Sequence, residues 1–199
     1  MGRKENKILI LMSGMASGKS SIIKELVKNR GFEEIKYMTT RAKRSDNDTD
    51  YIFLTDDEFY RDIKKEKHIA WQKYFVNTKD GRALWKYYQP KTIRVKSKPQ
   101  VIQIPYIGAV EVAKYLGDDC ILMYLDCPEE IRRERAIKRG DRIEEVERRI
   151  KDDRQYIKKS ESVAGVIIPT DRKLEDVIED IIGNYELKMN RQKSPKSLA

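Results

Sequence analysis

Ile8-Leu9-Ile10-Leu11-Met12-Ser13-Gly14-Met15-Ala16-Ser17-Gly18-Lys19-Ser20 is the stretch on which the reading of this chain turns. An uninterrupted apolar run makes a buried strand, and the Gly/Ser-rich turn after it hands over to Lys19–Asn29, where apolar residues recur at helical spacing. A strand, a glycine-bearing turn and a helix that opens on Lys-Ser form the setting in which backbone N–H groups and a helix N-terminus converge on phosphate. In that setting Gly14, Ser17, Gly18, Lys19, Ser20 and Ser21 are placed to face a chain of phosphates, Lys19 reaches the β/γ oxygens and the Ser20 hydroxyl is offered to Mg2+. Ser13 stands where the G-x-x-x-x-G-K-[ST] pattern begins with Gly, while Gly18-Lys19-Ser20, which carries most of the phosphate chemistry, is intact. The bland alternative is an ordinary turn between strand and helix.

Working outward, β-rich runs alternate with helical patterns: Val101–Ile104 then Ile107–Leu116, Ile121–Leu125 then Glu129–Lys138, and Val163–Ile168 then Leu174–Ile182. Such alternation predicts βα units on a parallel sheet, hence a three-layer α/β/α domain. Residues 34–90 break the rhythm, with strand candidates at Ile35–Thr39, Tyr51–Phe53 and Ile69–Phe75, a helix near Asp56–Lys65, and the aromatic stretch Trp85-Lys86-Tyr87-Tyr88. They read as an inserted mixed α/β subdomain.

Composition narrows the chemistry. With 199 residues, 39% hydrophobic and 38% charged, the chain is too apolar for wholesale disorder and too polar to live inside a membrane. His68 is the single histidine, which removes paired-histidine catalysis and multi-histidine metal sites. Cys120 and Cys127 suit neither a disulfide framework nor a zinc spacing, and no run approaches a signal core or a membrane helix, so a cytoplasmic location is expected. The net charge of +9 fits an anionic ligand or simply a Lys-rich solvated surface. Residues 184–199 read as a basic, poorly packing tail.

Two further clusters bear on function. Thr39-Thr40-Arg41-Ala42-Lys43-Arg44, with Tyr51 close behind, offers two guanidinium forks and a phenol suited to gripping a phosphate, or else a charged loop. Arg132, Arg133, Arg135, Lys138, Arg139, Arg142, Arg148 and Arg149 run through two helical patterns joined at Gly140-Asp141. A solvated face with i,i+4 pairing accounts for most of them, and a lid whose arginines neutralise a phosphoryl group in transfer accounts for the rest.

Taken in order, the phosphate loop, Thr39-Thr40-Arg41-x-x-Arg44, Asp50-Tyr51-x-Phe53, Glu58-Phe59, Ile69-x-Trp71, Tyr87, Arg139-Gly140-Asp141 with Arg148-Arg149, and Val166–Asp171 resemble the guanylate kinase family of nucleoside monophosphate kinases over roughly residues 7–183. The resemblance implies a P-loop core of 1–33, 91–130 and 160–183, an NMP-binding subdomain of 34–90 and a helical lid of 131–159. It puts Arg41, Arg44, Tyr51 and Tyr87 on the acceptor monophosphate, Lys19 and Ser20 on MgATP, and Arg139, Arg148 and Arg149 in the lid. The implied reaction moves the γ-phosphoryl of ATP to a nucleoside or deoxynucleoside monophosphate. The implied partners are small-molecule nucleotides, with neither nucleic acid nor membrane expected. Because the acceptor oxygen is already anionic, no general base is required.

The departures fall on base reading. Tyr37 replaces the family's Ser before the Thr-Thr-Arg run, Ala70 replaces its Glu before Trp71, Tyr88 and Gln89 replace its Gly and Ser/Thr after Tyr87, and Gln103 and Pro105 replace its paired Asp residues. A preference broadened or moved away from guanine is expected, with Gln72, Gln89 and Gln103 as candidate readers. Two other readings stay open: a phosphotransferase for polynucleotide ends or another acceptor of the P-loop class, and a non-catalytic protein-binding module of the same family.

Overall fold

The computed structural model describes residues 6–43, 45, 46, 48–78 and 81–191. Its centre is a five-stranded, all-parallel sheet. The strands are β1 (Ile8–Ser13), β2 (Glu33–Glu34), β7 (Gln100–Gln103), β8 (Cys120–Asp126) and β9 (Val166–Pro169), in the order β2-β7-β1-β8-β9. Alternation along β1 divides the core in two. Leu9 and Leu11 join Val101, Met123 and Leu125 beneath the helices α1 (Lys19–Asn29) and α6 (Leu174–Arg191), while Ile8, Ile10 and Met12 join Ile102, Ile104 and Tyr124 beneath α3 (Tyr106–Leu116) and α5 (Ile143–Val163). The α4 helix (Glu129–Lys138) packs on α5 through Ala136 against Val146 and Ile150. The α/β/α architecture read from the sequence is therefore the one observed.

A second sheet, ordered β4-β3-β6-β5, comprises β4 (Ile52–Phe53), β3 (Met38–Thr39), β6 (Gly81–Pro90) and β5 (His68–Thr78). The β5–β6 hairpin pairs Ala70 with Gln89, Gln72 with Tyr87, Tyr74 with Trp85 and Val76 with Ala83, so these eight side chains share one face. Helix α2 (Asp56–Lys64) starts on a capping box between Thr55 and Glu58 and covers the opposite face. There Phe59 meets Tyr88 ring to ring at 5.7 Å, and the Tyr88 hydroxyl donates to Asp62 at 2.8 Å. The hairpin is longer than the sequence suggested, and its second strand was not expected at all.

The tail reading is corrected over 184–191. Helix α6 runs to Arg191, with Tyr185 and Met189 buried one and two turns after Ile181. The Tyr185 ring meets Phe32 at 5.2 Å and its hydroxyl donates to the Lys7 carbonyl at 2.7 Å. Apolar residues at 178, 181, 185 and 189 keep the stripe facing the sheet, which outweighs the charge around them. The remaining tail residues lie outside those described. Among the described residues no helix is long and apolar enough to cross a membrane.

Candidate active site

The loop from Ser13 to Gly18 joins the end of β1 to the start of α1, with Ala16 at φ +54° and Gly18 at φ +95°. Gly18, the N-cap, has no side chain to close the first turn, which leaves the leading amides of α1 available to an anion. Lys19 folds back over the loop: its Nζ donates to the Gly14 carbonyl at 2.7 Å, to the Ser13 carbonyl at 3.3 Å and to the Ser13 hydroxyl. Burial lowers its pKa to about 8, opposed by the Asp153 carboxylate and reinforced by Arg149, Arg132 and Arg139. Ser17 is buried and donates to the Gly14 carbonyl at 3.1 Å. Ser20 and Ser21 line a cavity of about 620 Å³ together with Gly18, Lys19, Arg135 and Arg139.

Gly14 does not line that cavity. It backs onto α4 and α5, where Arg132, 2% exposed, donates from Nε to the Cys127 carbonyl at 3.1 Å and from Nη1 to Asp153 at 2.9 Å. The same Asp153 oxygen accepts the Met15 amide at 2.7 Å. A side chain at 14 would collide with the Arg132 guanidinium, so glycine is required here for close approach.

A second cavity, of about 270 Å³, opens between the inner face of the β5–β6 hairpin, the start of α3 and α5. One end holds Arg41, Tyr51 and Tyr87. Arg41 is buried, pairs with Asp48 at 2.8 Å and stacks over Tyr51 at 4.9 Å, while its Nε has no partner. Tyr37 and Tyr87 pack on Tyr51 at 5.0 and 5.8 Å, and burial raises the phenols of Tyr37 and Tyr87, which therefore stay protonated donors. The far end holds Gln72 and Gln89. Gln72 Nε2 and Gln89 Oε1 are buried with no partner, beside Gly108, and the Tyr74 hydroxyl occupies the other end of the Gln72 amide. Ala70 is buried across the ladder from Gln89. Arg44 lies outside the described residues.

The two cavities meet. Tyr51 and Arg149 line both, Arg139 lines the phosphate-loop side and Arg148 the hairpin side. Arg139 is paired with Asp141, and Arg148 with Glu145 and Asp152 at 2.6 Å each. The sequence assigned Gln103 to base reading, but it faces the phosphate-loop cavity with Ser20 and Asp50. Strand parity is the reason: on β7, Gln103 shares its side with Val101, toward α1, while Ile102 and Ile104 face α3. Arg132, Arg135 and Asp50 were named in the sequence only within longer runs, without a role of their own, and Asp153 and Arg172 were not singled out. For α5 the signal was available, since Glu145, Arg149, Asp152 and Tyr156 recur at helical spacing and all line the hairpin cavity.

No family model matches the chain. It is 28% identical over 178 residues to the guanylate kinase of Malacoplasma penetrans (strain HF-2), covering 85% of this chain and 88% of that one. It is 27% identical over 156 residues to the guanylate kinase of Porphyromonas gingivalis (strain ATCC BAA-308 / W83), covering 72% and 78%. Its fold superposes on the crystal structure of guanylate kinase from Anaplasma phagocytophilum with a TM-score of 0.64 at 18% identity, covering 98% of this chain and 90% of that one.

Proposed function

We propose that the chain is a member of the guanylate kinase family, an ATP-dependent nucleoside monophosphate kinase, and that it phosphorylates a nucleoside or deoxynucleoside monophosphate whose base is not restricted to guanine. The observation that carries the reading is the pair of adjoining cavities: a phosphate-loop cleft and an aromatic, arginine-floored pocket with Tyr51 and Arg149 common to both walls. Two nucleotides seated there would bring phosphate to phosphate.

ATP would lie with its β/γ-phosphates on the amides at the start of α1 and on Lys19. The acceptor phosphate would be held by Arg41, Tyr51 and Tyr87. An acceptor oxygen attacks the γ-phosphorus in line as the bond to the β,γ-bridging oxygen breaks, giving ADP and a diphosphate. Lys19, Arg139, Arg148 and Arg149 answer the charge that accumulates on the equatorial oxygens. The exposed Ser20 hydroxyl, with Asp50 and Gln103 lining the same cavity, would offer oxygens to Mg2+, and the ion would add charge neutralisation on the phosphates.

The far end of the pocket supports the altered base preference. Ala70 offers no carboxylate for adjacent donors of guanine, and Pro105 on the rim offers none either. What waits instead are one unpartnered amide donor on Gln72 and one unpartnered acceptor on Gln89. A base with a neighbouring acceptor and donor would satisfy both, and the Watson–Crick edge of every purine and pyrimidine has such a pair. Loss of a carboxylate partner therefore lowers discrimination for guanine by about 1–3 kcal/mol.

The test is kcat/KM with ATP for GMP, dGMP, dTMP, dCMP and UMP. Comparable values for several acceptors, or a non-guanine preference, are expected. Exclusive use of GMP would refute the base assignment, and failure of every monophosphate together with unchanged ATP binding in Lys19→Ala would refute the kinase reading.

A further inference from the structure

Asp153 is the one carboxylate in direct contact with the backbone of the phosphate loop, among the described residues. Its Oδ2 accepts the Met15 amide at 2.7 Å and the Arg132 guanidinium at 2.9 Å, and a Cβ on Gly14 would lie 2.9 Å from it. Arg132 is fixed in turn by the Cys127 carbonyl at the end of β8, so loop, α4 and α5 are joined through two side chains. Arg149 sits four residues earlier on α5, one turn away on the same side, and lines both cavities. Where Asp153 is pinned, the turn of α5 that carries Arg149 is held too.

We propose that Asp153 is a positioning residue for phosphoryl transfer: by clamping α5 to the Met15 amide it holds Arg149 at the boundary of the two cavities, in register with Lys19. The clamp lies at the edge of both cavities, Asp153 on the wall of the hairpin cavity and Met15 on that of the phosphate-loop cavity, with the Asp153 oxygen taken up by the Met15 amide and Arg132. Its effect is on the transition state, where the Arg149 guanidinium has to meet a moving phosphoryl group, and a displacement of about an ångström there costs up to roughly a hundredfold in rate. A merely structural ion pair would act on stability alone.

The inference rests on the role given to Arg149 above, and a double-variant cycle separates the two. Asp153→Ala is expected to lower kcat by about tenfold or more, with the KM values for ATP and the acceptor changed by less than about threefold. Asp153→Asn, which keeps an oxygen for the Met15 amide, should recover part of the loss. In the Arg149→Ala background, itself slow, Asp153→Ala should cost almost nothing further. Independent, multiplying losses would overturn the inference while leaving the Arg149 assignment intact, and an unchanged kcat in Arg149→Ala would overturn that assignment itself. Because removing Asp153 strands a buried guanidinium, the paired change Arg132→Met/Asp153→Leu serves as the folding control. It should regain thermal stability with kcat still low, and recovery of kcat together with stability would overturn the proposal.

Discussion

Gly14→Ala adds a single methyl to the back of the phosphate loop, and the structure says what that methyl meets. It would overlap Arg132 Nη1 and stand 2.9 Å from both Arg132 Cζ and Asp153 Oδ2, where ordinary contact begins at 3.4 Å. Arg132 has no route of retreat: it is 2% exposed and held by the Cys127 carbonyl at 3.1 Å and by Asp153 at 2.9 Å. Overpacking of this kind costs about 1–3 kcal/mol, and breaking a buried pair costs about 3–5 kcal/mol, so the two limits meet near 3 kcal/mol. For a chain of this size that is a fall in Tm of about 6–12 °C. Thermal and urea unfolding of the wild-type and variant chains measure it. In an Arg132→Met background, where a flexible thioether replaces the rigid fork, the same alanine should cost less than about 1 kcal/mol. A Gly14→Ala chain within about 0.5 kcal/mol of wild type, the margin typical of unstrained surface changes, would show that the loop is not packed as described.

Ala16→Gly should act in the opposite direction, because alanine at φ +54° carries about 1–2 kcal/mol of left-handed strain and glycine returns about 0.4–1 kcal/mol of it as unfolded-chain entropy. A gain of up to about 1 kcal/mol in urea unfolding is expected, and a loss would refute it. Asp48→Asn leaves the buried Arg41 guanidinium without its anionic partner, the Ala42 carbonyl at 3.1 Å remaining, and lowers stability of the empty chain by about 3 kcal/mol. A saturating acceptor monophosphate supplies the missing anion, so the ligand-induced rise in Tm should exceed that of wild type, and an equal rise would count against Arg41 as a phosphate ligand. Glu129 is held down to about 2, from 4.5, first by the Arg154 and then by the Arg133 hydrogen bonds. Its contribution is therefore full above pH 4.5 and lost as pH falls toward 2. Glu129→Gln should flatten the acid limb of stability over that window, and an unaltered limb in urea midpoints taken across it would contradict the assignment.

How legible each part was follows from the range of the interactions involved. The phosphate loop is a local device, and Ser13 to Ser20 announced it because each residue acts on its immediate neighbours. The second hairpin strand was missed because Trp85, Tyr87 and Gln89 face the cavity while Lys86 and Tyr88 are buried under α2, so no polar and apolar alternation marks the strand. Gln103 was misplaced although parity with Val101 would have set its direction. The Tyr185 and Met189 stripe was overlooked beneath its charge. Asp153 was unreadable for a different reason: its partners Arg132 and Met15 lie 21 and 138 positions away, and only the packing of α5 on the loop brings them together.

The posture of Lys19 has a consequence for how the empty enzyme is built. Its ammonium donates to the oxygens of Ser13 and Gly14 in a half-buried setting. Under the proposed function a triphosphate entering the cleft would meet a cation already partly withdrawn from water, with Arg135, Arg139 and Arg149 on the same cavity wall. That part of the dehydration is done when the chain folds, so it lowers the stability of the unliganded fold and, on the proposed function, would be returned as grip on the nucleotide. A Lys19→Met chain should accordingly melt later than wild type while holding ATP far less well, the two changes arising from the same lost charge.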